Sequence, residues 1–245
     1  MNEIMKSLYV RKSVRVYEEK EIPEEIKREI LMAAMQAPTA GNQQMYTILD
    51  ITDQTLKDKL AISCDNQPFI AKAPLVLIFC ADMQKWYDAF LEGGAIPKKP
   101  GVGDLMLAVE DAMIAAQNAV VAAESFGIGS CYIGDILEQY ETHRELLKLP
   151  DYVFPAGMIV FGYPTKQQME RQKPERCKLE DIVQENTYKR RDGAQLRAMF
   201  EKETRNRSFE NWTQAFCNRK YNSDFSKEMT RSVNEYLKLY ETSFE

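Results

Sequence analysis

The sequence predicts an α+β fold, a sheet of about four or five strands wrapped by helices. Three observations carry that prediction. Two continuous apolar runs of strand length, PLVLIFCAD (74–82) and FPAGMIVFGYP (154–164), read as central strands covered on both faces. Segments with a helical apolar period outnumber the strands and alternate with them. No GxGxxG follows the first strand, so a doubly wound dinucleotide fold has little support.

Each element has its own warrant. IPEEIKREILMAAMQAP is a helix with Pro23 near its start, acids in the first turn and apolar Ile26, Ile30, Leu31 and Ala34 on one face. Ala37-Pro38 ends it, because proline disfavours a helical residue before it. After the loop TAGNQQ, the run YTILDITD is a strand, and QTLKDKLAIS is a short helix leading into CDNQPF. MQKWYDAFLEGG is helical up to Gly93-Gly94, and AIPKKPGVGD is loop. From about Asp104 to Phe126 runs a helix apolar on most sides, which suits a core or a subunit interface, with Gly127 as its cap. IGSCYIGD returns to strand and loop, and ILEQYETHRELLKLP is one further helix. Beyond Pro164 the chain turns charged and helical. We divide it into a main domain, 1–190, and a helical extension, 191–245, too poor in apolar residues for a core of its own and expected to pack on the main body or a partner subunit.

Composition narrows the function. The net charge of −5 over 245 residues argues against a nucleic-acid binder with a broad basic face. The N-terminus lacks the apolar run of a signal peptide, and Glu110 and Asp111 interrupt the most apolar segment, so no membrane span is expected. Five dispersed cysteines, without CxxC spacing, suit a reducing cytoplasm. The one histidine, His143, leaves no His-rich metal site, and its charged neighbours read as a solvated helix face. Metal ligands are therefore expected to be none, and any redox chemistry falls to a bound cofactor.

Four short stretches offer a ligand something. RKSVR brings Arg11, Lys12, Ser13 and Arg15, cations and a hydroxyl suited to phosphate oxygens, although a charged stretch is often only a solvated surface. APTAGNQQ combines small residues with the amides Asn42, Gln43 and Gln44, against the plainer reading of a helix-to-strand turn. GIGSCYIGD places Gly134 where backbone N–H groups can approach a ligand, and QKPERCK adds Lys173 and Arg176.

In this order and spacing the four stretches resemble the flavin-dependent nitroreductase family, over roughly residues 3 to 190. RKSVR is similar to that family's R-x-S-x-R phosphate motif and APTAGNQQ to its AP-S/T-x-x-N-x-Q loop. The resemblance implies a mixed, mainly antiparallel sheet, an intertwined homodimer, and FMN bound at the dimer interface. Arg11, Lys12, Ser13 and Arg15 would hold the FMN phosphate and ribityl, with Lys173 and Arg176 closing over it. Lysine at position 12, where the family often has arginine or histidine, loses the bidentate fork. Thr39, Asn42 and Gln44 would reach the flavin from the other subunit. Gln67 and Asn66 would address its pyrimidine end. Tyr132, Ile133, Gly134 and Asp135 would line the ring, with the backbone N–H near Gly134 facing N5 and no catalytic side chain required. The implied activity is ping-pong electron transfer from NAD(P)H to nitroaromatics, quinones or flavins, in the cytoplasm, without nucleic-acid or membrane partners. The alternative is a flavin-binding redox sensor or storage protein that does not turn over. Trp86, Tyr87 and Phe90 are read either as core or as a cover for the site. The basic set Lys189, Arg190, Arg191, Arg197, Arg205 and Arg207 is read either as solvated surface or as a contact for a 2′-phosphate.

Overall fold

The computed structural model describes residues 1–241. One sheet holds β1 Tyr46–Asp50, β2 Leu75–Asp82, β3 Gly129–Ile133 and β4 Val153–Gly162, in the order β1-β2-β4-β3. The pairings between these strands are antiparallel, and a parallel bridge joins Ser13 to Ser130 beside β3. The helices are α1 Glu3–Val10, α2 Glu24–Met35, α3 Gln54–Ser63, α4 Pro68–Ala71, α5 Gln84–Glu92, α6 Val102–Ser125 and α7 Tyr140–Leu147. They continue with α8 Lys166–Glu170, α9 Leu179–Ile182, α10 Gly193–Thr204, α11 Phe209–Lys220 and α12 Asp224–Leu239. The chain divides into two compact units, Met1–Arg171 with Glu228–Glu245, and Gln172–Lys227.

Alternation along β2 explains why its sequence is continuously apolar. Val76, Ile78 and Cys80 pack in one core cluster with Leu60, Tyr236 and Tyr240, while Leu75, Leu77 and Phe79 pack in another with Ile30 and α6. On α6 the stripe Ala112, Ala115, Ala116 and Ala119 is buried, and its small side chains let the helix approach the sheet closely. By length and composition α6 could cross a membrane; here it is packed against β2 and β4.

Three local features differ from the sequence reading. The apolar pattern did not mark α1, which begins with the Asn2 side chain accepting from the Met5 N–H at 2.9 Å. The expected helix from Ile136 onward is broken: a 3₁₀ turn, Gly134–Leu137, stops before Gln139, whose φ of 55° is left-handed, and α7 starts afterwards. Burial of Ile136 and Glu138 on either side of Leu137 explains the break, because a continuous helix would turn one of them outward. His143 is not a solvated helix residue but is fully buried. Its Nδ1 lies 3.1 Å from the Ile136 carbonyl and must donate, so Nε2 accepts from the Ser63 hydroxyl at 2.8 Å. Those two neutral partners replace water, which is how one imidazole fits a core.

Two glycines seat the N-terminal segment on the sheet. Gly129 and Gly162 face each other across β3 and β4. A Cβ on Gly129 would sit 2.5 Å from Val14 Cγ2, and one on Gly162 would sit 2.5 Å from Tyr17 Cδ1 and 3.0 Å from Pro74 Cδ. The missing side chains thus leave the groove into which Arg11–Tyr17 lies, held by Val14 N–H to Ser130 O at 2.9 Å and by the Tyr17–Pro164 bridge. Gly162→Ala is expected to push Tyr17 off the sheet and lower unfolding stability by about 2 kcal/mol, an overpacking cost readable in urea denaturation.

Candidate functional site

The seated segment brings Arg11 against β3 and Arg15 against Phe69. Arg11 Nη2 donates to Ser130 Oγ at 3.3 Å, and its guanidinium carbon lies 5.7 Å from the centre of the Tyr132 ring. Arg11 Nε is buried and has no partner among the described residues. Tyr132 is anchored on its far side by its hydroxyl, 3.2 Å from Gln117 Oε1 of α6. Burial pushes the Tyr132 phenol up to about 12. Arg15 is exposed and lies 5.9 Å from the centre of the Phe69 ring, in the turn that also carries Gln67.

That turn is tied to the end of β3. Gln67 Nε2 donates to Asp135 Oδ2 and to Cys64 O, both at 2.9 Å. Asp65 and Asn66 sit in left-handed conformations, φ 60° and 51°, which turn the chain sharply out of α3. Ile133 buries its side chain in the core, so that residue can offer a ligand only its backbone. Gly134 follows, exposed, and a Cβ there would meet nothing within 4 Å. Arg11, Ser13, Arg15, Gln67, Tyr132, Ile133, Gly134 and Asp135 therefore form one neighbourhood, with Asn66 exposed at its edge.

The loop Thr39–Met45 is built separately. Asp111 of α6, only 3% exposed, accepts from the Thr39 hydroxyl, from Ala40 N–H at 3.0 Å and from Met45 N–H at 3.2 Å. Thr39 Oγ1 in turn accepts from Gln44 N–H at 2.7 Å. These bonds hold Gly41, Asn42 and Gln44 at φ 58°, 57° and 49°, a run that side chains rarely adopt unaided. Asn42 is exposed, and Gln44 is half-buried. Thr39, Asn42 and Gln44 make no hydrogen bond to the Arg11–Asp135 neighbourhood among the described residues.

Other expected residues have different settings. The Lys12 ammonium gives two of its three donors to the carbonyls of Met169 and Arg171, at 2.5 and 2.6 Å, where it caps α8. Arg171 answers by donating to Ser13 O. Lys173 and Arg176 lie in the second unit, with Arg176 Nη1 3.4 Å from Pro174 O. Also within that unit, Arg205, Arg207 and Arg219 surround Trp212 and Phe216 in a cavity of about 500 Å³, while Arg197 pairs with Glu210. The sequence reading passed over Asp111, Arg171 and Glu138. For Asp111 a signal existed: an acid set between Ala108, Ala112 and Ala115 lies on the buried stripe of its helix.

Glu138 sits just behind Asp135. It is 5% exposed, its Oε1 has no partner among the described residues, and burial together with the charges of Asp135, Asp65 and Glu228 pushes its carboxyl up to about 7. His143 moves the other way, its burial lowering it from 6.5.

A layered α+β fold with two guanidinium groups near one edge of its sheet and an amide loop pinned by Asp111 has donors of the kind a phosphorylated ligand takes. Comparison with known proteins is specific. The model of the nitroreductase family matches residues 8–163. An FMN reductase [NAD(P)H] of Bacillus subtilis (strain 168) is 31% identical over 228 residues, covering 89% of this chain and 90% of the relative. A CR(VI) reductase of Pseudomonas sp. (strain G-1) is 31% identical over 209 residues, with 82% and 85% covered. The solved structure of B. megaterium NfrA2 superimposes with a TM-score of 0.83 at 28% identity, covering 100% of both chains. The chain belongs to the nitroreductase family.

Two outcomes follow from the buried acids. Asp111→Ala strips three donors of a charged acceptor, and we expect a loss of about 3 kcal/mol in urea unfolding together with faster proteolysis in 39–45. Glu138 binds its proton more tightly folded than unfolded, so its contribution is full below the ordinary carboxylate value of 4.5 and is lost as pH rises through about 7. Glu138→Gln is therefore expected to raise the melting temperature relative to the parent at pH 8, with no gain at pH 4.

Proposed function

We propose that this chain is an FMN-dependent oxidoreductase that passes electrons from NAD(P)H to nitroaromatics, quinones or free flavins by a ping-pong cycle, acting as a cytoplasmic homodimer without nucleic-acid or membrane partners. The observation that carries the reading is the Gln67–Asp135 hydrogen bond of 2.9 Å, which joins the Gln67 turn to the end of β3 beside a buried guanidinium nitrogen lacking an acceptor. Family membership supports it, as do relatives whose names are FMN reductase [NAD(P)H] and CR(VI) reductase.

The residues present fit FMN on three counts. Arg11 Nε wants an acceptor that the protein does not provide, which a phosphate or ribityl oxygen would supply. The open space over Gly134 suits a ring lying against backbone N–H. Arg11, Arg15 and the Ser13 hydroxyl make a donor set of the right sign for a dianion. When bound, FMN supplies two-electron chemistry by accepting hydride from a nicotinamide and yielding electrons to an acceptor.

The chain's part is binding and orientation. Arg11, Ser13 and Arg15 hold the phosphate end. Lys12 acts mainly through the α8 carbonyls it caps, fixing the turn behind the phosphate. Gln67, oriented by Asp135, and Asn66 address the pyrimidine edge. Tyr132, with Ile133 buried behind it, and Gly134 present a flat wall and a backbone donor. Thr39, Asn42 and Gln44 serve the site of the second subunit, their geometry set by Asp111. The three guanidinium groups around Trp212 give the second unit a place for a nucleotide phosphate.

Purified protein is expected to be yellow, to release FMN on heating, and to oxidise NAD(P)H steadily only when menadione or nitrofurazone is present. Arg11→Ala should weaken FMN binding at least about tenfold. A colourless protein whose melting temperature ignores added FMN would overturn the reading, and one reduction without turnover would instead favour a sensor.

A further inference from the structure

We propose that the cavity between α5, the loop Ala95–Pro100 and α6 is a binding site for a small, uncharged, planar aromatic molecule bearing a carbonyl or nitro oxygen. Its volume is about 410 Å³, and its walls are Met45, Met83, Trp86, Tyr87, Phe90 and Leu107. That is the lower part of the range for ligand sites, ~300–1,000 Å³, with room for two fused rings and not for a dinucleotide.

The walls are held by contacts with one another and with Tyr152. The Trp86 indole N–H donates to Gln43 O at 2.8 Å, which fixes the plane of the ring. Phe90 lies one helical turn away, its ring centre 5.6 Å from that of Trp86 at a 39° tilt. Tyr87 is held edge-on by Tyr152 at 5.4 Å. Pro97 and Pro100 stiffen the loop that closes the rim. A site so held binds without first ordering its own side chains.

Charge selects the ligand class. The charged side chains lining the cavity are Lys98 and Asp104, and these two are paired with each other. No net charge remains for a phosphate, in contrast to the cradle around Arg11 and Arg15. Two polar side-chain groups are left, the Gln43 carboxamide and the Tyr87 hydroxyl, both on residues that line the cavity and neither hydrogen-bonded among the described residues. An amide N–H and a phenol O–H can each donate to an oxygen on an otherwise apolar ring. Met45 and Met83 supply adaptable, polarisable walls for such a ring. None of the residues assigned to FMN lines this cavity, so the proposal does not depend on that assignment.

The chain has two tryptophans, so Trp212→Phe leaves Trp86 as the sole indole reporter. The full-length variant as purified, without NAD(P)H, is titrated with menadione while indole emission is followed. Saturable quenching in the micromolar range is expected, with Gln43→Leu weakening it about tenfold and Leu107→Phe, which fills the cavity, abolishing it. Gln43→Leu removes a side chain with no structural bond, which keeps the test readable should Leu107→Phe fail to fold. Quenching that never saturates, or saturable quenching that neither substitution alters, overturns the site. So does a response that disappears as protein concentration rises and sedimentation shows dimer, because a second copy then occupies the cavity. Absence of flavin from the sample would overturn the FMN reading and leave these outcomes as they stand.

Discussion

One buried carboxylate, Asp111, governs the shape of the loop that presents Thr39, Asn42 and Gln44. Two non-glycine residues in left-handed conformation cost about 1–2 kcal/mol each. Against this stand three hydrogen bonds to a charged acceptor, each worth roughly 1.5–3 kcal/mol, with donors that would otherwise be left unpaired. The bonds outweigh the strain, so the loop is held rather than merely permitted. Because the anchor sits on α6, which also packs against β2 and β4, loop geometry is referred directly to the rigid core.

The same economy of position answers how an acidic protein can build an anion site. A net charge of −5 spread over the surface is screened beyond about 8–10 Å at physiological salt. Binding therefore depends on the few charges within contact distance. Arg11 and Arg15 are brought to those distances by backbone geometry: two glycines on facing strands leave room for Val14 and Tyr17, and Arg15 between them stays exposed.

The strands were legible because β2 and β4, covered on both faces, spell continuous apolar runs such as LVLIF, and the four observed strands coincide with the four runs read. The clustering of Arg11 with Gln67, Tyr132 and Asp135 was legible only through resemblance to a family, since nothing in local pattern joins Gln67 to Asp135, 68 residues on, or Arg11 to Ser130, 119 residues on. What escaped notice is of one kind. Asp111, Glu138 and His143 are polar residues whose settings are made by partners distant in sequence, so composition rates them as solvated. His143 looked exposed beside Glu141 and Arg144; its neutral partners, Ser63 and the Ile136 carbonyl, come from other elements. The left-handed Gln139 likewise breaks a helix that the period alone would continue.

Glu138 and His143 flank that break, and their proton equilibria oppose each other. Burial keeps the imidazole neutral, so the folded state loses stability as pH falls through 6.5, where the unfolded chain takes up a proton and the core cannot. Burial and three neighbouring acids keep the carboxyl protonated up to about 7, so the folded state loses stability as pH rises toward that value. Between the ordinary carboxylate and histidine values the two slopes have opposite sign and partly cancel. A buried acid and a buried base placed side by side thus flatten the pH response of the turn that carries Asp135. Each alone would tilt it, and the geometry holding Gln67 against Asp135 is steadiest where both stay uncharged.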